Sequence, residues 1–238
     1  MKNAVELINI SVKRRFRVIL EMDRLAIPAG QFTGFIGPNG AGKTTLLKVC
    51  GGLLKPTRGT VHLQSKRIGY IPQQTEYNAH LPFTLREIVA MGRNSLIPLG
   101  RRLNKDDFEH VDFWIDRMGL YDRRSQPFRT LSGGQQQKTM IARAMAAQPD
   151  ILLMDEPGAN LDPAWKMQLK NILNQLFEEH PMTILLISHE LELIPESCRR
   201  LVLLDNGHIA ADGLRDEILN VSAARKIFDN TRTFAGEC

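Results

Sequence analysis

Gly37-Pro38-Asn39-Gly40-Ala41-Gly42-Lys43-Thr44 carries the spacing GxxxxGK[ST]. That spacing suits a phosphate chain. Glycines let successive amide N–H groups face an anion, Lys43 has the reach to contact β- and γ-phosphates, and the Thr44 hydroxyl is a ligand for Mg²⁺. The flanks agree with this chemistry. Residues 31–36 end in Phe35 and Ile36, as a buried strand would, and Leu46, Leu47 and Val49 give the residues after Thr45 an apolar helical face. Strand, glycine loop and helix are therefore expected in that order, with a nucleotide on residues 37–45. Kinases, GTPases, helicases and transport ATPases all use such a loop, so it does not choose a reaction alone.

A second group of residues narrows the chemistry. The apolar run Ile151-Leu152-Leu153-Met154 ends in two acids, Asp155 and Glu156. Beside a phosphate loop two acids divide the work: Asp155, at the strand end, helps hold Mg²⁺, and Glu156 polarises the water that attacks the γ-phosphorus. Leu131-Ser132-Gly133-Gly134-Gln135 opens a further helical run with Ser132 as its expected N-cap, and a helix start presents N–H groups and a positive dipole to phosphate. One phosphate loop already serves this chain, so the second glycine-rich helix start points to another bound nucleotide.

The sequence LSGGQ at 131–135 resembles the signature of ABC-type ATPases, and the other motifs of that family follow in order over nearly the whole chain. The resemblance implies a P-loop NTPase of α/β class. Its core is a RecA-like, mostly parallel sheet with an N-terminal antiparallel β region and an inserted ABC α-helical subdomain. It also implies ATP and Mg²⁺ as the bound species, with Thr44, Gln73 and Asp155 on the metal. Gln73, after Ile71-Pro72, resembles the Q-loop glutamine, whose amide oxygen reaches Mg²⁺ or the attacking water. His189, in Ser188-His189-Glu190, takes the switch position that contacts γ-phosphate. Asp162, in Ala159-Asn160-Leu161-Asp162, resembles the D-loop residue that links two nucleotide sites. Phe16 is similar in place to the aromatic residue that stacks on adenine; an aromatic covering the edge of the β region is the other reading. Asn160, Gln136 and Gly158 depart from the residues commonest at their positions, whereas Lys43, Asp155, Glu156 and His189 all conform.

Residues 5–12, 21–27, 60–63 and 68–72 read as strands, the last two as a continuation of one sheet. Residues 75–149 read as a helical insert, with Thr84-x-x-Glu87 as a capping box and a longer amphipathic stretch at 106–118. Beyond Pro149 the pattern alternates: strand at 151–154, helix at 165–177, strand at 183–188 and helix at 190–196. Strands follow at 201–205 and 208–211, and 212–228 reads as mainly helical. The whole chain is expected to be one ATPase domain, with 1–74 and 150–238 as the catalytic lobe and 75–149 as the helical subdomain.

With 238 residues and 43% hydrophobic content there is ample material for a core. The apolar runs are far shorter than the roughly 18 residues that span a bilayer. The first ten residues lack the apolar centre of a secretory signal. A cytoplasmic protein is expected. Cys50, Cys198 and Cys238 have neither disulfide nor metal spacing. The net charge of +5 comes from basic pairs scattered along the chain, so solvated surface is the reading and nucleic acid is not expected as a partner.

Because LSGGQ in this family serves a partner's γ-phosphate, the resemblance implies a second ATPase subunit, most simply a homodimer with two ATP at its interface. It further implies multi-span membrane permease subunits that hold the chain at the cytoplasmic face, and an extracytoplasmic substrate-binding protein. The segment 81–93 resembles that of bacterial importers of transition metals and metal chelates, and Arg101-Arg102 followed by Asp106 and Asp107 leans to zinc, manganese and iron systems. An exporter ATPase shares the same motor and is the alternative. An ABC ATPase acting on nucleic acid or ribosomes is a further one, which the short 43–132 spacing and the single motif set disfavour.

Overall fold

A computed structural model describes residues 2–73, 82–98, 100–159 and 161–220. Among them, two sheets enclose one helix. The antiparallel sheet comprises β1 (Asn3–Arg14), β2 (Arg17–Pro28) and β4 (Arg58–Leu63) in the order β2-β1-β4. The larger sheet also contains β3 (Phe32–Ile36), β5 (Ile68–Ile71), β6 (Ile151–Asp155), β7 (Thr183–Ile187), β8 (Arg200–Asp205) and β9 (His208–Leu214). Its order is β5-β6-β7-β3-β8-β9, parallel throughout except for the β8–β9 hairpin.

The central strands are covered on both faces, which is why their sequences read as unbroken apolar runs. Alternate residues enter different cores. Leu152, Met154, Ile184, Leu186, Leu201 and Leu203 pack towards the helical insert, whereas Ile151, Leu153, Leu185, Ile187, Val202 and Leu204 pack towards the antiparallel sheet. Helix α1 (Lys43–Cys50) lies in the second core between the two sheets and touches β1, β2, β4, β6 and β7.

The insert supplies α2 (Leu85–Asn94), α3 (Lys105–Arg117) and α4 (Gly133–Ala146). The expected capping box at Thr84 and Glu87 is present, and Asn104 with Asp107 forms another at the start of α3. Arg93 on α2 bonds Asp107 at 2.8 Å, and Arg86 grips Asp112 of α3 with two bonds of 2.7 Å, so these helices are fixed to each other. The other α-helices among the described residues are α5 (Pro163–Glu179) and the short α6 (Arg215–Leu219).

Three expectations need correction. Strands β4 and β5 do not continue one sheet: β4 pairs with β1, while β5 is the edge partner of β6. Residues 190–196 form only a 3₁₀ turn at Leu191–Leu193, because Ser188 Oγ both accepts from the Glu190 N–H and donates to the Glu190 carbonyl, and Pro195 follows. The expected helix from 212 starts later, since β9 runs to Leu214, and its remainder at 221–228 lies outside the described residues. So do Gln74, the start of the insert at 75–81 and Asn160. Among the described residues no helix is long and apolar enough to cross a membrane. Cys50 and Cys198 are buried, which pushes both thiols up, Cys198 to about 12, so they stay protonated at neutral pH.

Candidate active site

Five parallel strands end at one edge of the large sheet, and each end delivers a residue of interest. The glycine loop follows β3, Gln73 follows β5, Asp155 and Glu156 close β6, Ser188 and His189 follow β7, and Asn206 follows β8. Ligands of open α/β sheets bind outside this carboxyl edge. A cavity of about 770 Å³ is found there, lined by Pro38 to Thr45 on one side, by Gln73 and Glu156 on another, and by Arg17, Val18, Ile19 and Asn206 on the third.

The loop is held open by its glycines. Gly42 has φ 96° as it caps α1, and Gly37 has φ 149° with no space for a Cβ beside the Leu204 carbonyl. Lys43 is buried, and its ammonium donates to the carbonyls of Gly37 and Pro38, each at 2.9 Å. Burial lowers its pKa, an effect opposed by the nearby Glu156 and Asp155 carboxylates. The loop is thus laced by its own lysine, whose ammonium bonds two loop carbonyls.

Thr44 Oγ1 donates to Asp155 Oδ1 at 3.0 Å, joining the loop to the end of β6. One residue later the chain turns sharply: Glu156 has φ 48°, a left-handed conformation that costs a non-glycine residue on the order of 1 kcal/mol. Its N–H donates to the Ile187 carbonyl at 3.1 Å. The turn directs the carboxylate into the cavity, where Oε2 accepts from Gln73 Nε2 at 3.3 Å and lies 3.4 Å from His189 Nδ1. His189 Nε2 lies 3.5 Å from Glu190, which is itself paired with Lys166 at 2.6 Å.

The two titrating partners are shifted in opposite directions for one reason. The hydrogen bond to Glu156 raises His189 above its ordinary 6.5, against desolvation, and the same bond lowers Glu156 below 4.5. Imidazolium and carboxylate favour each other. In the nucleotide-free protein His189 will titrate above pH 6.5, and in Glu156→Gln its midpoint will move down because the anion is gone. Histidine ring resonances followed by NMR against pH check this; an unmoved midpoint would break the assigned pairing.

Residues 131–135 do not line the cavity, nor does Asp162. Ser132 caps α4 in a capping box with Gln135, with Ser132 N donating to Gln135 Oε1 at 3.0 Å. Ser132 is therefore exposed at a capped helix start that lies outside the cavity of the chain's own loop. Gln136 explains its departure from the commoner residue, since its amide donates to the carbonyls of Phe128 and Leu131 and ties down the approach to the helix. Gly158 is explained as well: a Cβ there would run into Leu193. Asp162 is the N-cap of α5, accepting from Trp165 N at 2.9 Å, with Pro163 at the first helical position.

Phe16 is not brought to the cavity. It sits fully exposed on the two-residue turn of the β1–β2 hairpin, in which Arg14 pairs with Arg17. The side of the cavity nearest that hairpin is instead built by Arg17, Val18, Ile19 and Asn206. Sequence reasoning missed these four because the Ile19 carbonyl is apposed to Gly42 and Gly207, and Gly207 N–H bonds the Ala41 carbonyl, contacts that only the folded chain makes.

This loop, acid pair and carboxyl-edge cavity are what an ATP-hydrolysing core requires. The family model described as ABC transporter matches residues 20–159, from β2 through the strand and turn that carry the acids. The chain belongs to the ABC transporter family. As an ABC ATPase it binds and hydrolyses ATP. It is 34% identical over 213 residues to the high-affinity zinc uptake system ATP-binding protein ZnuC of Bacillus subtilis, covering 86% of this chain and 92% of that protein. It is 33% identical over 237 residues to the manganese transport system ATP-binding protein MntB of the same organism, covering 97% and 94%. Among solved structures, the dimeric post-hydrolysis state of the ATP-binding cassette MJ0796 bound to ADP and Pi superposes on the ABC ATPase with a TM-score of 0.77 and 26% identity. That match covers 88% of this chain and 98% of the cassette.

Proposed function

We propose that two copies of this ABC ATPase clamp two ATP molecules between them and thereby drive import of a transition-metal ion or metal chelate through separate membrane subunits. The observation that carries the metal reading is the near full-length similarity to zinc and manganese uptake ATP-binding proteins. The dimer is supported by the solved cassette dimer and by the place of Ser132, exposed and outside the cavity of its own loop.

In this reading residues 37–45 wrap the phosphates with backbone N–H groups, and Lys43 gives its remaining donor to the γ-phosphate. The oxygens of Thr44 and Asp155 are the hard donors that Mg²⁺ prefers, and they lie 3.0 Å apart, so both would hold the ion together. Bound there, Mg²⁺ would supply neutralisation of the phosphate charge. Glu156, kept ionised by His189, accepts a hydrogen bond from the attacking water. Gln73 steadies the carboxylate and leaves its amide oxygen for the same water. His189 keeps its proton through the Glu156 contact and offers it to the γ-phosphate. Ser132 to Gln135 of the second copy close the site, with Asp162 at the junction of the two copies.

The Q-loop at Gln73 and the helical insert at 75–149 are the parts that meet the membrane subunits, which place the chain at the cytoplasmic face of the membrane, and an extracytoplasmic binding protein delivers the cargo. Purification from native membranes will recover a multi-span permease, and cells lacking the chain will accumulate less zinc, manganese or iron by elemental analysis. Unchanged content of all three would sink the metal reading, and recovery of ribosomes or DNA would overturn the transporter reading.

A further inference from the structure

Trp165 lies where no expected motif placed it. It is the third residue of α5, and its ring covers Gly134 so closely that a Cβ at 134 has no room. Lys138, one turn further along α4, stands with its ammonium 4.9 Å from the ring centroid. The backbone of Trp165 is bound in turn: its N–H donates to the Asp162 carboxylate. Asp162 closes the segment that begins at Glu156, where Ala159 N–H bonds the Glu156 carbonyl at 3.1 Å and Leu161 N–H bonds the Gly158 carbonyl at 3.3 Å. Backbone bonds at Glu156–Ala159 and Gly158–Leu161, the Asp162 cap and the Trp165 ring thus lie in sequence between the residue that carries the hydrolytic carboxylate and the helix start at 132–135.

A tryptophan is suited to such a place. It is large and rigid, with two side-chain torsions, and it meets a glycine whose bare Cα admits the flat ring. Two helix N-termini that emerge from different parts of the chain are thereby locked at one spacing. The α4 end is also held by its own capping box and by Gln136, which bond it to residues 128–135, while the body of α4 packs on α2, α3 and β5. The ring and its lysine add a direct tie between this helix end and the start of α5.

We propose that Trp165 is a positioning residue for the nucleotide held by the partner subunit: it sets the Ser132–Gln135 helix end against the turn that follows this chain's own Glu156. The proposal rests on the two-copy reading, in which Ser132 serves the other chain's ATP. A shift of about 1 Å in a group that contacts the reacting phosphate costs up to roughly 100-fold in rate. Losing the ring will act on the site across the interface and spare the chain's own phosphate loop.

Mixed dimers separate these effects. When Lys43→Ala is mixed with Ser132→Arg, one sound site remains, made from the loop of the Ser132→Arg chain and the helix end of the Lys43→Ala chain. Trp165→Ala placed in the Lys43→Ala chain will lower hydrolysis at least about tenfold, whereas Trp165→Ala placed in the Ser132→Arg chain will leave it within about twofold. Trp165→Phe in the first placement will restore much of the loss, and ATP affinity of the intact loop will match that in the parent mixture. Equal losses in both placements, or no loss in the first, overturn the proposal while leaving the two-copy reading intact. Absence of activity in the parent mixture, with dimers formed, removes both.

Discussion

Glu156→Gln will bind ATP with undiminished affinity and hydrolyse it at least about 100-fold more slowly, the range expected when a positioned base is lost. The substitution keeps the size of the side chain and its hydrogen bond from Gln73, so neither the turn at φ 48° nor the cavity wall needs to change. What it removes is the negative charge that His189 holds ionised. An amide cannot draw a proton from water. In the proposed two-copy cycle, separation requires loss of the γ-phosphate, so the variant will also accumulate as an ATP-bound dimer. Single-turnover hydrolysis and size-exclusion chromatography with ATP check both halves, and turnover at the parent rate would remove Glu156 from its assigned role.

The second large effect is a recovery. Among the described residues, Lys43→Ala alone loses the side-chain cation that lines the glycine-loop part of the cavity, and Ser132→Arg alone puts a bulky charge at the helix end that the two-copy reading offers to the partner. Each homodimer will be nearly inactive because both of its sites are damaged. Mixing them at equal concentration yields heterodimers in half of the population by random assortment of a two-fold pair. Each heterodimer has one sound site, so about a quarter of the parent activity returns if the sites act independently. Titration of one variant into the other, followed by phosphate release, gives this curve. A flat response with heterodimers present would place Ser132 and Lys43 in the same site, contrary to the 131–135 segment's absence from the cavity lining.

Much of the catalytic lobe is legible in the sequence because its strands are covered on both faces and its loop needs glycine for steric reasons. The runs 151–155 and 183–187 stand out as apolar blocks, and Thr84 with Glu87 announces a helix start through its own hydrogen bonds. The meeting of Gln73, Glu156 and His189 is different, since those residues come from three strand ends that sequence separation hides until the sheet is assembled. The motif positions identify them one at a time; the shared carboxylate oxygen does not follow from any of them. Helix α5 was readable earlier than residue 165: Asp162-Pro163 is an N-cap followed by a first-turn proline, and its signal was absorbed into the D-loop resemblance. Segment 190–196 misled for the opposite reason, because a helical spacing of apolar residues cannot outweigh a local Ser188 turn and Pro195.

Helix α1 is held by the two sheets together, with Leu46, Leu47, Val49 and Cys50 fully buried. A motor must contain a part that does not yield. Wedged in this way, the helix cannot slide to accommodate the change from three phosphates to two, and the loop at its head keeps its shape through the Lys43 bonds to Gly37 and Pro38. The lost volume and charge must then appear as displacement somewhere softer, among residues that hang from the sheet edge or from the partner. The anvil is intrachain, and the stroke belongs to whatever is pressed against it.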